Sequence, residues 1–218
     1  MHIHFSGPDE ILDQLIARYP ALVPARESIQ SAFGILSDCF ADGNKLLLCG
    51  NGGSAADALH IAGELMKSFV LPRKPDAAFQ EALFKLFPGD APFLTEKLER
   101  ALPAVALVGN PAVCTAVQND TAAKTVFAQQ VYGLGTQNDV LFGISTSGNS
   151  ENVVLAAETA KALGMRVITL TGRGPNRLTA VSDCQIAVDG EETFRVQELH
   201  LPVYHALCLM LEDRFFSE

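Results

Sequence analysis

The chain has 218 residues, 48% of them hydrophobic and 19% charged, with a formal net charge of −9. That is enough for one α/β domain with a sizeable core. The acidic balance and the lack of a Lys/Arg cluster argue against a nucleic-acid partner, and no apolar run reaches the length of a membrane span.

The opening "MHIHFSGPDEILDQL" lacks a basic segment followed by an apolar run, so no signal peptide is expected. The five cysteines stand singly, without a CxxC pair. They read as reduced thiols of a cytoplasmic protein, mostly buried. Residues 8–42 read as two helices, the second long. Five short apolar runs then read as buried strands: "KLLLCG" (45–50), "AVALVG" (104–109), "DVLFGIS" (139–145), "RVITLT" (166–171) and "CQIAVD" (184–189). Apolar on both faces and alternating with helical patterns, they predict a parallel sheet covered on both sides. "SENVVLAAETAKALGM" (150–165) is a crossover helix. "ETFRVQELHLPVYHALCLMLEDRFF" (192–216) is a long apolar final helix, in which Pro202 predicts a kink or an irregular turn. The segment 74–101 breaks the alternation: "PGDAP" separates two short amphipathic patterns, so it reads as a helical insertion in a single domain spanning 1–218.

Open parallel sheets bind ligands beyond the carboxyl ends of their strands. Two loops there carry chemistry. "GNGGS" (50–54) lets a ligand approach the backbone, with Ser54 placed to cap the next helix; it has neither the dinucleotide fingerprint nor a Lys-Ser/Thr ending. "STSGNS" (145–150) offers four hydroxyls before a helix, more than capping requires, and suits a phosphate. On the helix after "GNGGS", His60 and Glu64 share a face at i, i+4. They suit a metal site, acid–base work, or a local hydrogen-bonded surface pair. The last helix adds Gln197, Glu198, His200 and His205. His200 reads as a structural core histidine.

Together "CGNGGSAADALHIAGEL" (49–65), "QND" (118–120), "GISTSGNSENV" (143–153), "ITLTGR" (168–173) and "RVQELHLPVYH" (195–205) resemble the sugar isomerase (SIS) domain family, and within it the phosphoheptose isomerases. The resemblance implies a flavodoxin-like five-stranded parallel sheet and a homotetramer with sites between subunits. It also implies isomerisation of a ketose phosphate, sedoheptulose 7-phosphate, to a heptose phosphate through an enediol, in heptose synthesis for the bacterial envelope. Carried over by position, Ser145, Thr146, Ser147 and Ser150 hold the phosphate. Asn51, Gly52, Gly53, Ser54, Asn119, Asp120 and Gln197 line the sugar. Glu64 and His205 form the catalytic acid–base pair, and His60, Glu64, Gln197 and His205 form a zinc site. Where the family often has an arginine this chain has Ser68, beside Lys67. Phe194 stands for an aspartate seen in some members, and 74–101 has no counterpart. Two alternatives stay open: isomerisation of another sugar phosphate, or a non-catalytic SIS protein that binds a replication initiator. Gln197 and His205 lie roughly 12 Å apart along a straight helix. Either Pro202 distorts the helix, or different subunits supply the two residues; the expectation is shared sites.

Overall fold

The computed structural model describes residues 6–217. Residues 1–5, where the signal-peptide reading begins, lie outside the described residues. Helices α1 (Pro8–Arg18) and α2 (Arg26–Ala41) precede strand β1 (Leu46–Gly50) and helix α3 (Gly53–Met66). Then follow α4 (Ala77–Leu86), α5 (Ala91–Lys97), β2 (Ala104–Ala106), α6 (Pro111–Val117) and α7 (Val126–Leu134). The chain closes with β3 (Val140–Ser145), α8 (Glu151–Ala162), β4 (Arg166–Gly172), β5 (Cys184–Val188) and α9 (Thr193–Phe216). The strands form one parallel sheet in the order β2-β1-β3-β4-β5. That is the flavodoxin-like order.

Every residue of β1 and β3 is buried, because helices cover both faces. Successive strand residues point to opposite faces. Leu46 and Leu48 join α1, α2, α3 and α9 in one core, whereas Leu47 and Cys49 join α7 and α8 in the other. α9 is assigned as one helix through Pro202, which lies buried in the first core. The irregular turn offered as one possibility at this proline is therefore not found. Among the described residues no helix is long and apolar enough to cross a membrane.

The strap leaving α3 is held by an ion pair deep in the fold. Arg73 and Glu212 side chains are both fully buried, with Nη2 2.8 Å from Oε1. Arg73 also donates to the carbonyls of Leu65 (2.8 Å) and Glu64 (3.1 Å). Glu212 accepts the main-chain N–H groups of Phe69, Val70 and Leu71 at 2.7–3.1 Å. The Phe216 ring stacks on the Arg73 guanidinium at 4.5 Å. So both charges are paired and their remaining hydrogen-bonding positions are largely filled, the condition under which a buried pair is tolerated.

The two helices expected in 74–101 are α4 and α5. The Asp76 carboxylate caps α4 by accepting from Phe79 N–H at 2.9 Å. The Arg100 N–H donates to the Arg73 carbonyl at 2.7 Å, so the chain returns to the point it left. Leu83 and Ala91 are buried, but Phe79, Phe84, Leu86, Phe87, Phe93 and Leu98 remain exposed.

Candidate active site

Parallel pairing places Gly50 of β1 beside Ile144 of β3, so the "GNGGS" and "STSGNS" turns emerge side by side at one sheet edge. Asn51 and Asn152 tie them together through two reciprocal amide hydrogen bonds, each 2.9 Å. Asn152 escaped the sequence reading because its role depends on a partner 101 residues away. A Cβ at Gly53 would sit 2.5 Å from Nε2 of Gln197, the movable end of a side chain that packs on the turn. Ser54 does not cap α3. The helix begins at Gly53 with Gly52 in the capping position, which puts Ser54 inside the first turn, buried.

In the second loop Ser145 Oγ and Ser150 Oγ are 3.0 Å apart. Ser150 occupies the capping position of α8 but makes no side-chain capping bond. Ser147 Oγ accepts the Asn149 N–H at 3.2 Å, and Gly148 turns the loop at φ 65°. Hydroxyls gathered at an uncapped helix start can meet an anion where a mere capping serine would be spent on the helix. Thr146 is half-buried, its carbonyl accepting from Gly172 N–H at 2.9 Å. Asn119 and Asp120 lie exposed on a short π-helical turn (Gln118–Ala122), bonded to each other at 2.7 Å.

Further along α3, His60 Nε2 is 3.2 Å from Glu64 Oε1, and Lys67 Nζ is 3.0 Å from Glu64 Oε2. The cation beside Glu64 is thus Lys67; Ser68 instead donates its N–H to Glu99 at 2.8 Å. Phe194 is exposed at the start of α9. The His205 ring packs edge-on to His60 with centroids 5.0 Å apart, and Phe69 of the strap lies 5.6 Å away on its other side. Burial pushes the His205 imidazole below its ordinary range; nearby His60 adds to this and the Glu64 carboxylate opposes it. His205 Nε2 is buried without a hydrogen-bond partner.

Thus the chain's own His205 lies beside His60. Gln197 sits two turns earlier, against Gly53. α3 and α9 both start at the carboxyl edge of a parallel sheet and run side by side in one direction. Gln197 then meets the start of α3, and His205 its middle. Among the described residues no group of three or more His, Cys, Asp or Glu side chains converges closely enough to hold a metal ion. His60 Nε2 and Glu64 Oε1 stand 3.2 Å apart.

His200 is fully buried, with neither ring nitrogen hydrogen-bonded, in keeping with its core reading. Burial pushes its pKa down to about 4, which the Thr171 main chain counteracts only in part. A folded-state pKa below the unfolded value gives stability that is present above the unfolded pKa and lost as pH falls. From about pH 6.5 to pH 4 the group should therefore cost about 3 kcal/mol of folding free energy. His200→Leu should reduce the slope of stability against pH by about 1.4 kcal/mol per unit in that window. Urea titrations at three pH values, showing equal slopes for both proteins, would contradict this.

The SIS domain family matches residues 13–81 and 94–172 of the chain, with the gap falling inside α4–α5. The chain is similar to the phosphoheptose isomerase of Akkermansia muciniphila, 36% identical over 199 residues, covering 91% of this chain and 92% of the relative. It is 40% identical over 192 residues to that of Clostridium acetobutylicum, covering 88% and 85%. Among solved structures, phosphoheptose isomerase from Francisella tularensis superposes with a TM-score of 0.71 at 30% identity, over 93% of this chain and 98% of the other. That from Neisseria gonorrhoeae gives 0.69 at 32% identity, over 92% and 98%.

Proposed function

The chain belongs to the SIS domain family, and from that membership we propose that it is an aldose–ketose isomerase converting sedoheptulose 7-phosphate to a heptose 7-phosphate. The observation that carries the reading is the joining of Glu64, His60 and His205 into one cluster on helices that also frame the glycine turn and the hydroxyl loop.

The reaction moves a proton between C1 and C2. It needs a base for the carbon-bound proton and a donor to the carbonyl oxygen. Glu64, flanked by Lys67 Nζ and His60 Nε2, takes a proton from C1, exchanges it with solvent while the enediol is bound, and delivers a proton to C2. His205, kept neutral by burial, donates a hydrogen bond to O2 as it gains charge in the enediolate, and the O1 hydroxyl proton passes to O2 as the aldehyde forms. Ser145, Thr146, Ser147 and Ser150 receive the phosphate, and Asn51, Gly52, Gly53 and Gln197 line the sugar, with Asn152 holding Asn51. Asn119 and Asp120 complete the sugar site from the π-helical turn. By the resemblance His60, Glu64, Gln197 and His205 would hold a divalent zinc ion that polarises the carbonyl, but among the described residues the side chains of one chain do not converge to fit it. Gln197 faces Gly53, so within one chain it stands apart from the other three.

A homotetramer with sites between subunits belongs to the same proposal. Its support is the exposed apolar rim on the two site helices: Leu59, Met66, Phe194 and Leu201. Residues 74–101 are read as an insertion in the single domain, and the reduced cysteines support a cytoplasmic location.

The decisive experiment incubates purified protein with sedoheptulose 7-phosphate in deuterated water and follows products by NMR, with and without chelator. A heptose 7-phosphate carrying deuterium at C2 is the expected result. Parallel incubations with shorter ketose phosphates separate the substrate from the reaction class. No turnover of any sugar phosphate would sink the enzymatic reading; chelator-independent turnover would remove the cation.

A further inference from the structure

Tyr204 precedes His205 on α9 and is only 2% exposed, so its hydroxyl depends on protein partners. It has two, both on α3. Tyr204 Oη donates to Asp57 Oδ1 at 3.3 Å, and lies 3.0 Å from His60 Nδ1. The rings of Tyr204, His60 and His205 pack edge-on around this point, with centroids 5.0–5.4 Å apart.

The order of donors follows from chemistry. A carboxylate only accepts, so Tyr204 spends its one proton on Asp57. The phenolic oxygen can then only accept from His60, which must carry a proton on Nδ1. We propose that Tyr204 and Asp57 are a positioning pair that holds His60 in the Nδ1-protonated tautomer, turning the Nε2 lone pair toward Glu64. The inference rests on the reading of His60 and Glu64 as part of the working site.

With Nε2 unprotonated, His60 Nε2 and Glu64 Oε1 are two acceptors 3.2 Å apart. Two acceptors that close do not bond each other. They converge on a donor entering from outside, such as a sugar hydroxyl. In the other tautomer Nε2–H would donate to Glu64 and engage the carboxylate before substrate arrives. The pair therefore decides whether Glu64 Oε1 stands free or is spent on His60, while Oε2 accepts from Lys67 in either case. The second oxygen of Asp57 is buried without a partner, which leaves Tyr204 as the hydrogen bond that steadies this carboxylate.

The test uses nitrogen-15 labelled protein and long-range imidazole correlation spectra, with His60 assigned by its loss in His60→Gln. Wild type should show Nδ1 as the protonated nitrogen of a neutral His60. Tyr204→Phe removes the acceptor. Asp57→Ala frees the Tyr204 proton to bond Nδ1. Both variants should move the proton to Nε2, and Asp57→Asn, whose amide oxygen still accepts, should leave it on Nδ1. A fall in kcat/KM of about tenfold should accompany the switched variants, the usual scale for losing an outer partner of a site imidazole. Wild-type His60 protonated on Nε2, or unchanged resonances in both Tyr204→Phe and Asp57→Ala, would overturn the proposal. The spectra need no substrate. Wild type inactive toward sedoheptulose 7-phosphate, with the tautomer switching as stated, would reject the assigned reaction and keep the positioning role.

Discussion

Replacing Glu64 by Gln is expected to lower kcat by roughly 10²–10⁴-fold, the scale of losing a general base, with KM changed little. The amide keeps the size of the side chain and can still accept from Lys67, now 3.0 Å from Oε2, so folding and sugar binding are preserved. What it cannot do is take a proton from carbon. The side chain is 15% exposed, so water has limited access to replace it. Steady-state kinetics with sedoheptulose 7-phosphate, together with solvent-deuterium exchange at C1, make the check. Exchange at the wild-type rate would remove Glu64 from the proton-transfer step. His205→Gln should also lower kcat, but leave a measurable rate, because a weak hydrogen-bond donor is easier to replace than a base.

The second large effect is on stability. Glu212→Leu strands the Arg73 guanidinium in a site with no exposure and strips the acceptor from three main-chain N–H groups. Removing one partner of a buried pair costs about 3–5 kcal/mol, on the order of 10 °C in Tm for a chain of this size. The double variant Arg73→Met, Glu212→Leu should be less damaged than the sum of the single changes, since no lone charge remains. It should not reach wild type, because Phe69, Val70 and Leu71 still lack their acceptor. Urea unfolding of all four proteins reads the coupling; strict additivity would mean that the pair is not a unit. The strap also sets Phe69 against His205, so the surviving variants should lose activity even where they fold.

The sheet was legible because most of its strands are short runs apolar on both faces; the run 104–109 is the exception, a strand only over Ala104–Ala106 with Val105 exposed. The two helices of 74–101 were legible from "PGDAP" and the amphipathic runs around it, although their exposed phenylalanines were not. Glycines and clustered hydroxyls marked the two turns at the carboxyl edge because few other needs put them between a strand and a helix. Ser54 was misjudged as a cap because a shift of two residues in where α3 begins changes its role, and sequence places helix ends poorly. Arg73 and Glu212 gave no signal: 139 residues apart, each reads as an ordinary surface charge.

By itself the sequence determined the fold class, the two turns at the carboxyl edge of the sheet and the i, i+4 pairing of His60 with Glu64, all of which depend on local spacing. Tertiary structure alone decided which distant groups meet. It laid α9 beside α3 in the same direction, because both helices leave the same edge of a parallel sheet. That placement put His205 and Tyr204 level with His60, and Gln197 level with Gly53. Helical periodicity gives the face of a residue on its own helix, but the level at which two helices pack is set by the side chains that interlock between them.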